Sequence, residues 1–319
     1  MTNSNTIQKF LSTMFLCLGQ LFLLSCSQDD GDPIPPITPE DPTNQSSIEV
    51  TTLVESMGAN DALEIDNDGN IYASEFGGWS STGGSGSKIL KVTPAGVVTT
   101  FASGLSGPLD IVIAENGNFY VVNDNNGTNG DIVQIMPDGT LDELATVPGW
   151  PAGITSDEEG NLFISNYQRP TLHKLATDGT LTELANDSNL AGCVGITIDE
   201  NGELYTANYN TGKVYKVSEA GNVSLIASIP GVVSNFAIGY MDHFDGSLYA
   251  TGIGSHKIYK IDLDGSSTVF AGSGSDDHTD GPVLNAAFKN PNGIVIDKSS
   301  KVMYVLDWGK PSLRKIELE

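Results

Sequence analysis

From Gly58 onward the chain alternates apolar and polar positions in short runs, and the runs recur in a fixed order. Each copy has a small residue, an alternating run, an acidic turn with glycine, and a Tyr or Phe that opens a second run. A third run, a second glycine turn and a fourth run complete it. Successive side chains of a strand point to opposite faces, so period-two alternation predicts half-buried β-strands. The first-turn glycines are Gly69, Gly117, Gly160, Gly202 and Gly246, with Ser300 in a sixth copy. Second runs open at Tyr72, Phe119, Phe163, Tyr205, Tyr249 and Tyr304. Third runs occupy 89–92, 132–135, 172–175, 214–217, 258–261 and 313–316. Their polar positions include five lysines, expected to face outward across from fourth-strand acids such as Glu143 and Glu183, which protects an edge rather than binds a ligand.

Six copies at a period of about 45 residues predict an all-β fold, a six-bladed β-propeller over residues 48–319 with four strands per blade. Hairpin turns at Gly96, Gly139, Gly179, Gly221 and Gly265 lead into fourth strands at 98–102, 141–145, 181–185, 223–227 and 267–271. That leaves the sixth blade one strand short at Glu319. Residues 50–54, Val-Thr-Thr-Leu-Val, repeat the pattern of 98–102 and precede the first blade. This N-terminal strand is expected to complete the last blade and close the ring, removing two open edges.

The last junction carries Gly272, Gly274, Asp280-Gly281, Ala286 to Phe288 and Pro291-Asn292-Gly293-Ile294 up to Asp297. It resembles the linker of NHL repeats, and the weaker copies match that family's strand pattern, so the resemblance covers 48–319. NHL propellers and the related gluconolactonase/regucalcin family share the ring but include scaffolds, ligand binders, lyases and metal-dependent lactonases, so the resemblance implies the fold and leaves function open. In the gluconolactonase/regucalcin family, Glu and Asn/Asp side chains at the entrances of the innermost strands hold a divalent metal. The corresponding positions here are Asp61, Leu109, Ala152, Val194, Phe236 and Asn292; a register shift of one brings in Asn60, Asp110 and Asn235. The resemblance therefore implies at most a cation such as Ca²⁺ at Asp61 and Asn292. Two such ligands are few for an ion that takes six to eight oxygens. The family's catalytic tetrad does not carry over, which puts lactonase activity in doubt as the alternative function.

A second ring of positions lies where the second strands end: Glu75, Asn123, Asn166, Asn208, Gly252 and Asp307. Such oxygens either converge on a ligand or bond nearby turn backbone, as short polar side chains do well. Beside them stand Phe76, Tyr167, Tyr209 and Trp308, with Trp79 and Trp150 in neighbouring loops. Aromatic faces next to amides and carboxylates suit a glycan or another amphipathic small molecule. The expected ligand site is thus Glu75, Asn123, Asn166, Tyr167, Asn208, Tyr209, Asp307 and Trp308, with a partner protein as the other class of occupant. Conventional catalysts are scarce. The histidines are His173, His243, His256 and His278, none spaced as a metal ligand pair, and no nucleophile elbow or phosphate-cradling loop occurs.

The amino-terminal end adds a location. Lys9 precedes an apolar run, 10–24, that is too short to span a bilayer. It ends in Leu23-Leu24-Ser25-Cys26, which looks like the lipobox of bacterial lipoproteins. Residues 1–25 therefore read as a signal peptide, Cys26 as the lipidated residue and 26–47 as a Pro/Asp-rich tether; an ordinary signal peptide or short membrane anchor is the alternative. The expected place is the outer membrane, on its surface or periplasmic face, with membrane contact through the lipid alone. The stretch Ser27-Gln28-Asp29-Asp30 is similar to surface-export signals, or is a plain acidic spacer. After cleavage Cys193 has no second cysteine within the propeller to pair with. With Lys+Arg 15 against Asp+Glu 40, the net charge of -25 repels phosphate backbones, so no nucleic-acid partner is expected. The domain is expected to be a monomer.

Overall fold

The alternating runs become antiparallel ladders in the computed structural model, which describes residues 48–80, 83–123, 128–232 and 235–318. The expected signal peptide, Cys26 and the whole of the tether lie outside these residues. The first blade is built from Leu63–Ile65, Ile71–Ser74, Lys88–Val92 and Val98–Ser103, in that order from the centre outward. Four further blades repeat it, with innermost strands Ile111–Ile113, Pro151–Ser156, Cys193–Ile198 and Met241–Phe244. The sixth takes Pro291–Asp297, Val302–Asp307 and Ser312–Glu317 from the carboxy-terminal end and Glu49–Val54 from the amino-terminal end. The protein is an all-β, six-bladed β-propeller closed by its N-terminal strand. Among the described residues no helix is long and apolar enough to cross a membrane.

The closure is specific in register and chemistry. Val50 lies opposite Ile316, Thr51 opposite Lys315 and Thr52 opposite Arg314. Val50 is fully buried in the same apolar cluster as Met303, Val305 and Ile316. Arg314 is also fully buried. Its Nη1 donates to Asp307 Oδ2 at 3.2 Å and to the Ala287 carbonyl at 2.9 Å, and its Nη2 donates to Asp280 Oδ1 at 2.7 Å. Asp280 in turn accepts from the Thr52 backbone NH at 2.9 Å, so one guanidinium ties the closing strand to the blade it completes. A short strand that the alternation does not predict, Gly281–Pro282, pairs outside Glu49–Val54 and covers part of its outer edge.

Two details depart from expectation. Glu143 lies opposite Val133, and Glu183 opposite His173, rather than across from the outward polar positions. A bulge between the third and fourth strands shifts the pairing, and lysines instead approach first-turn acids, as in Lys216 Nζ to Glu203 Oε1 at 3.2 Å. The second departure is an extra hairpin, Trp79–Ser80 with Gly83–Gly84, inserted between the second and third strands of the first blade.

Around the central channel, side chains join neighbouring blades. Asp110 Oδ2 accepts from Ile154 NH at 2.9 Å, and Asp242 Oδ2 accepts from Ile296 NH at 2.8 Å. Half-buried Glu64 reaches the Ile113 NH at 3.4 Å. Burial raises the carboxyls of Asp110 and Asp242 and pushes Glu64 up to about 8 and Asp61 to about 7. An acid whose folded value exceeds its unfolded one costs no stability below about pH 4, where both states hold the proton. Its cost grows as pH rises toward the folded value. Asp110 and Asp61, buried more deeply than Glu64, carry most of this. The melting temperature should therefore rise as pH is lowered from about 8 to about 5, and Asp110→Asn should flatten the rise. A wild-type melting temperature that falls over that window would contradict the assignment.

Candidate functional site

Each face of the ring has a depression. The one on the face of the first-turn loops is wide, about 510 Å³, and lined by Glu64, Asp110, Asp242 and Lys298 among others. The channel acids there spend their oxygens on the backbone bonds just described. The opposite depression, at the entrances of the innermost strands, is a narrow cavity of about 120 Å³. Seven aromatic rings line it: Phe76, Trp79, Trp150, Tyr167, Tyr209, Tyr240 and Trp308. Its deepest polar members are Asp61, Asn292 and Tyr240, which are 8%, 9% and 4% exposed.

The rings form two arcs. Phe76 meets Trp79 edge-on at 4.8 Å, and Trp79 lies 5.4 Å from Trp150. On the other side Tyr167 meets Tyr209 at 5.9 Å and 88°, and Phe236 links Tyr209 to Trp308 at 5.7 and 5.9 Å. Trp79, Tyr167 and Phe236 are 64%, 38% and 38% exposed, so large apolar surface gathers at this one mouth. Such concentration on a water-facing surface marks a site of contact. Close backbone packing brings Trp79 there. A Cβ on Gly84 would fall 2.6 Å from the Phe76 ring, and one on Gly107 would fall 2.7 Å from Gly84 Cα. Glycine at both positions lets the inserted hairpin lie on Phe76.

Of the residues expected from sequence, Tyr167, Tyr209 and Trp308 converge on this cavity, whereas Glu75, Asn123, Asn166, Asn208 and Asp307 are not part of its lining. Those five hold loops. Asn166 Oδ1 accepts from Trp150 NH at 3.0 Å and Arg169 NH at 2.8 Å, while its Nδ2 donates to the Pro148 carbonyl at 2.8 Å. Asn208 does the same at Asn210, Thr211 and Ala191. Glu75 accepts from Ser87 NH, Asn123 from Ser106 NH, and Asp307 from Lys289 NH. Their bonds fix the backbone that carries Trp150, Tyr167, Tyr209 and Trp308. Trp79, Trp150 and Phe76 join the lining, and Phe236 extends the rim from an entrance position.

Asp61 and Asn292, considered above as cation ligands, do meet. Asn292 Nδ2 donates to Asp61 Oδ1, and the Tyr240 hydroxyl donates to Asp61 Oδ2 at 3.1 Å. Both oxygens of the carboxylate are engaged, and among the described residues no group of three or more His, Cys, Asp or Glu side chains is placed to hold a metal ion. This pair does not fit a hard cation. Burial raises Asp61 to about 7 and holds the Tyr240 phenol well above its ordinary value. The histidines serve the framework: His256 accepts from Asn290 NH, His278 contacts Thr52 and Asp307, and His243 stacks on Tyr205. Cys193 is buried, with its thiol pushed up to about 12, so it is not poised as a nucleophile.

The sequence pattern of the virginiamycin B lyase family matches residues 70–310. The chain belongs to that family. Its ring is also that of several solved structures. An auxiliary nutrient binding protein from Bacteroides thetaiotaomicron superposes with a TM-score of 0.69 at 18% identity, covering 85% of this chain and 76% of that one. A catalytically inactive His-to-Ala variant of virginiamycin B lyase from Staphylococcus aureus, with quinupristin, gives 0.58 at 20% identity over 82% of each chain. A gluconolactonase from Xanthomonas campestris gives 0.63 at 12% identity over 85% of this chain and 90% of that one. At these identities the likeness shows the fold alone. No curated protein matches the chain.

Proposed function

We propose that this member of the family is an exported lipoprotein, anchored through Cys26, whose propeller binds a small amphipathic ligand in the aromatic cavity. The observation that carries the reading is the convergence of seven aromatic side chains from several blades on one narrow cavity. Rings held by fixed turns give a ligand apolar contact at little entropic cost, which favours binding. Among the described residues lining the cavity there is no histidine, lysine or arginine, and the carboxyl of Asp61 is engaged with neighbours, so the geometry supports binding better than proton transfer or hydrolysis. The auxiliary nutrient binding proteins that share the ring are in keeping with this reading. The anchor rests on the sequence of residues 10–26.

The test is a panel of glycans, lactones and amphipathic small molecules titrated against the purified protein, with tryptophan fluorescence as readout. A true ligand should perturb the emission, and Trp308→Ala should weaken its binding by about 2 kcal/mol, roughly thirty-fold. Binding undiminished by both Trp308→Ala and Trp150→Ala would place the site on another surface. Hydrolysis of sugar lactones that EDTA abolishes would replace binding with catalysis.

A further inference from the structure

The amide and carboxyl groups of the cavity are largely taken up by the protein itself. Asn60 exchanges two bonds with the Gly77 backbone, each at 2.9 Å, and Asp61 and Asn292 bond each other. A polyhydroxylated ligand needs several free donors and acceptors converging on it, and these residues offer few. At about 120 Å³ the space equals on the order of four waters at about 30 Å³ each, enough for a compact group of a few heavy atoms. What the walls offer in abundance is aromatic side chains, whose ring faces carry negative potential and attract a cation that needs no hydrogen bonds. A carboxyl lies at the bottom, and no positive side chain is among the described lining residues. The net charge of -25 raises the local concentration of any positively charged solute.

From this geometry we infer that the cavity recognises an alkylated ammonium group, held by the faces of Trp79, Trp150, Tyr209 and Trp308 with Asp61 beneath it. The inference rests on the proposed reading of this cavity as the ligand site and names the ligand's chemistry. It also couples binding to a proton. Asp61 is faced by the phenols of Tyr240 and Tyr209 and by the Asn292 amide, with Asp110 as the next acid, and no cation offsets its burial. A bound ammonium supplies that missing charge and favours the carboxylate, so affinity rises as pH climbs through about 7 and a proton is released on binding.

The experiment titrates tetramethylammonium into the full-length protein by calorimetry. Two controls accompany it: the neutral isostere of choline, 3,3-dimethylbutan-1-ol, and a methyl glycoside. The expected result is saturable binding of the cation, at least about tenfold tighter than the isostere. That affinity should increase severalfold from pH 6 to pH 8, and Asp61→Asn should abolish the increase. Trp150→Ala should weaken the cation and leave the fold intact by circular dichroism. Equal or tighter binding of the isostere, or binding of the glycoside alone, overturns the ammonium inference while leaving the cavity as a ligand site. No binding of tetramethylammonium at either pH also overturns it, and the wider ligand panel with Trp308→Ala then judges the cavity separately. If Asp61→Asn does not fold, the wild-type comparison of cation with isostere decides.

Discussion

Deleting residues 48–54 should abolish the cooperative thermal transition and leave a chain that scatters light, whereas deleting 27–45 should leave the melting temperature within about 2 °C of the parent. The first deletion removes the outer partner of Ser312–Glu317 along the register that runs from Val50–Ile316 to Val54–Leu313. It bares the edge of a strand whose Leu313 and Ile316, on opposite faces, are fully buried in the intact ring. It also deprives Asp280 of the Thr52 NH and hydroxyl that it accepts from. An exposed edge with apolar side chains templates pairing with other chains. The second deletion takes away a Pro-rich acidic stretch that has no apolar face to bury. A cooperative transition close to the parent's after the first deletion would mean that the ring closes without its amino-terminal strand.

The second large effect is expected at Arg314. Arg314→Met keeps much of the volume but leaves Asp307, itself fully buried, with the Lys289 NH and the His278 ring and without the guanidinium 3.2 Å away. Breaking a buried pair from one side costs about 3–5 kcal/mol, because the remaining charge is left in low dielectric. For a domain of this size that is on the order of a 10 °C fall in melting temperature. Adding Asp307→Asn should recover part of the loss, since it removes the orphaned charge while keeping an oxygen for the Lys289 NH. Chemical denaturation of the single and double variants measures both quantities. A single-variant loss below about 1 kcal/mol would show that water or rearrangement satisfies Asp307 without the arginine.

The ring itself was legible because strand alternation and turn glycines are local signals repeated six times, and because the one missing strand had a visible copy at 50–54. Arg314 was legible in principle. Its register position in the other copies is held by Leu90, Val133, His173, Tyr215 and Tyr259, all buried, so a cation there implies a buried partner. The Gly281–Pro282 strand was not legible, since two residues cannot display a period. At the site, the aromatic members stood out by residue type. The amides beside them did not sort into ligand-binding and loop-holding roles, because a turn and a ligand ask for the same short polar side chain at the same strand end. Whether Asn166 turns its oxygen to Trp150 NH or to a bound molecule depends on loop geometry, which spacing does not encode. Phe236 fell at an entrance position where only oxygens had a stated role, and Trp79 reaches the rim through an inserted hairpin that breaks the repeat.

Because the last blade joins residues more than two hundred positions apart, order of synthesis matters to this chain. Glu49–Val54 emerges first, and its partner Ser312–Glu317 emerges more than two hundred residues later. As the chain folds the first strand must wait, unpaired, while five blades form, and ring closure is then a search across a long intervening loop, the kind of contact that forms slowly. Its solvent-facing residues, Glu49 and Thr51, make that wait safer by keeping one side of the idle segment polar.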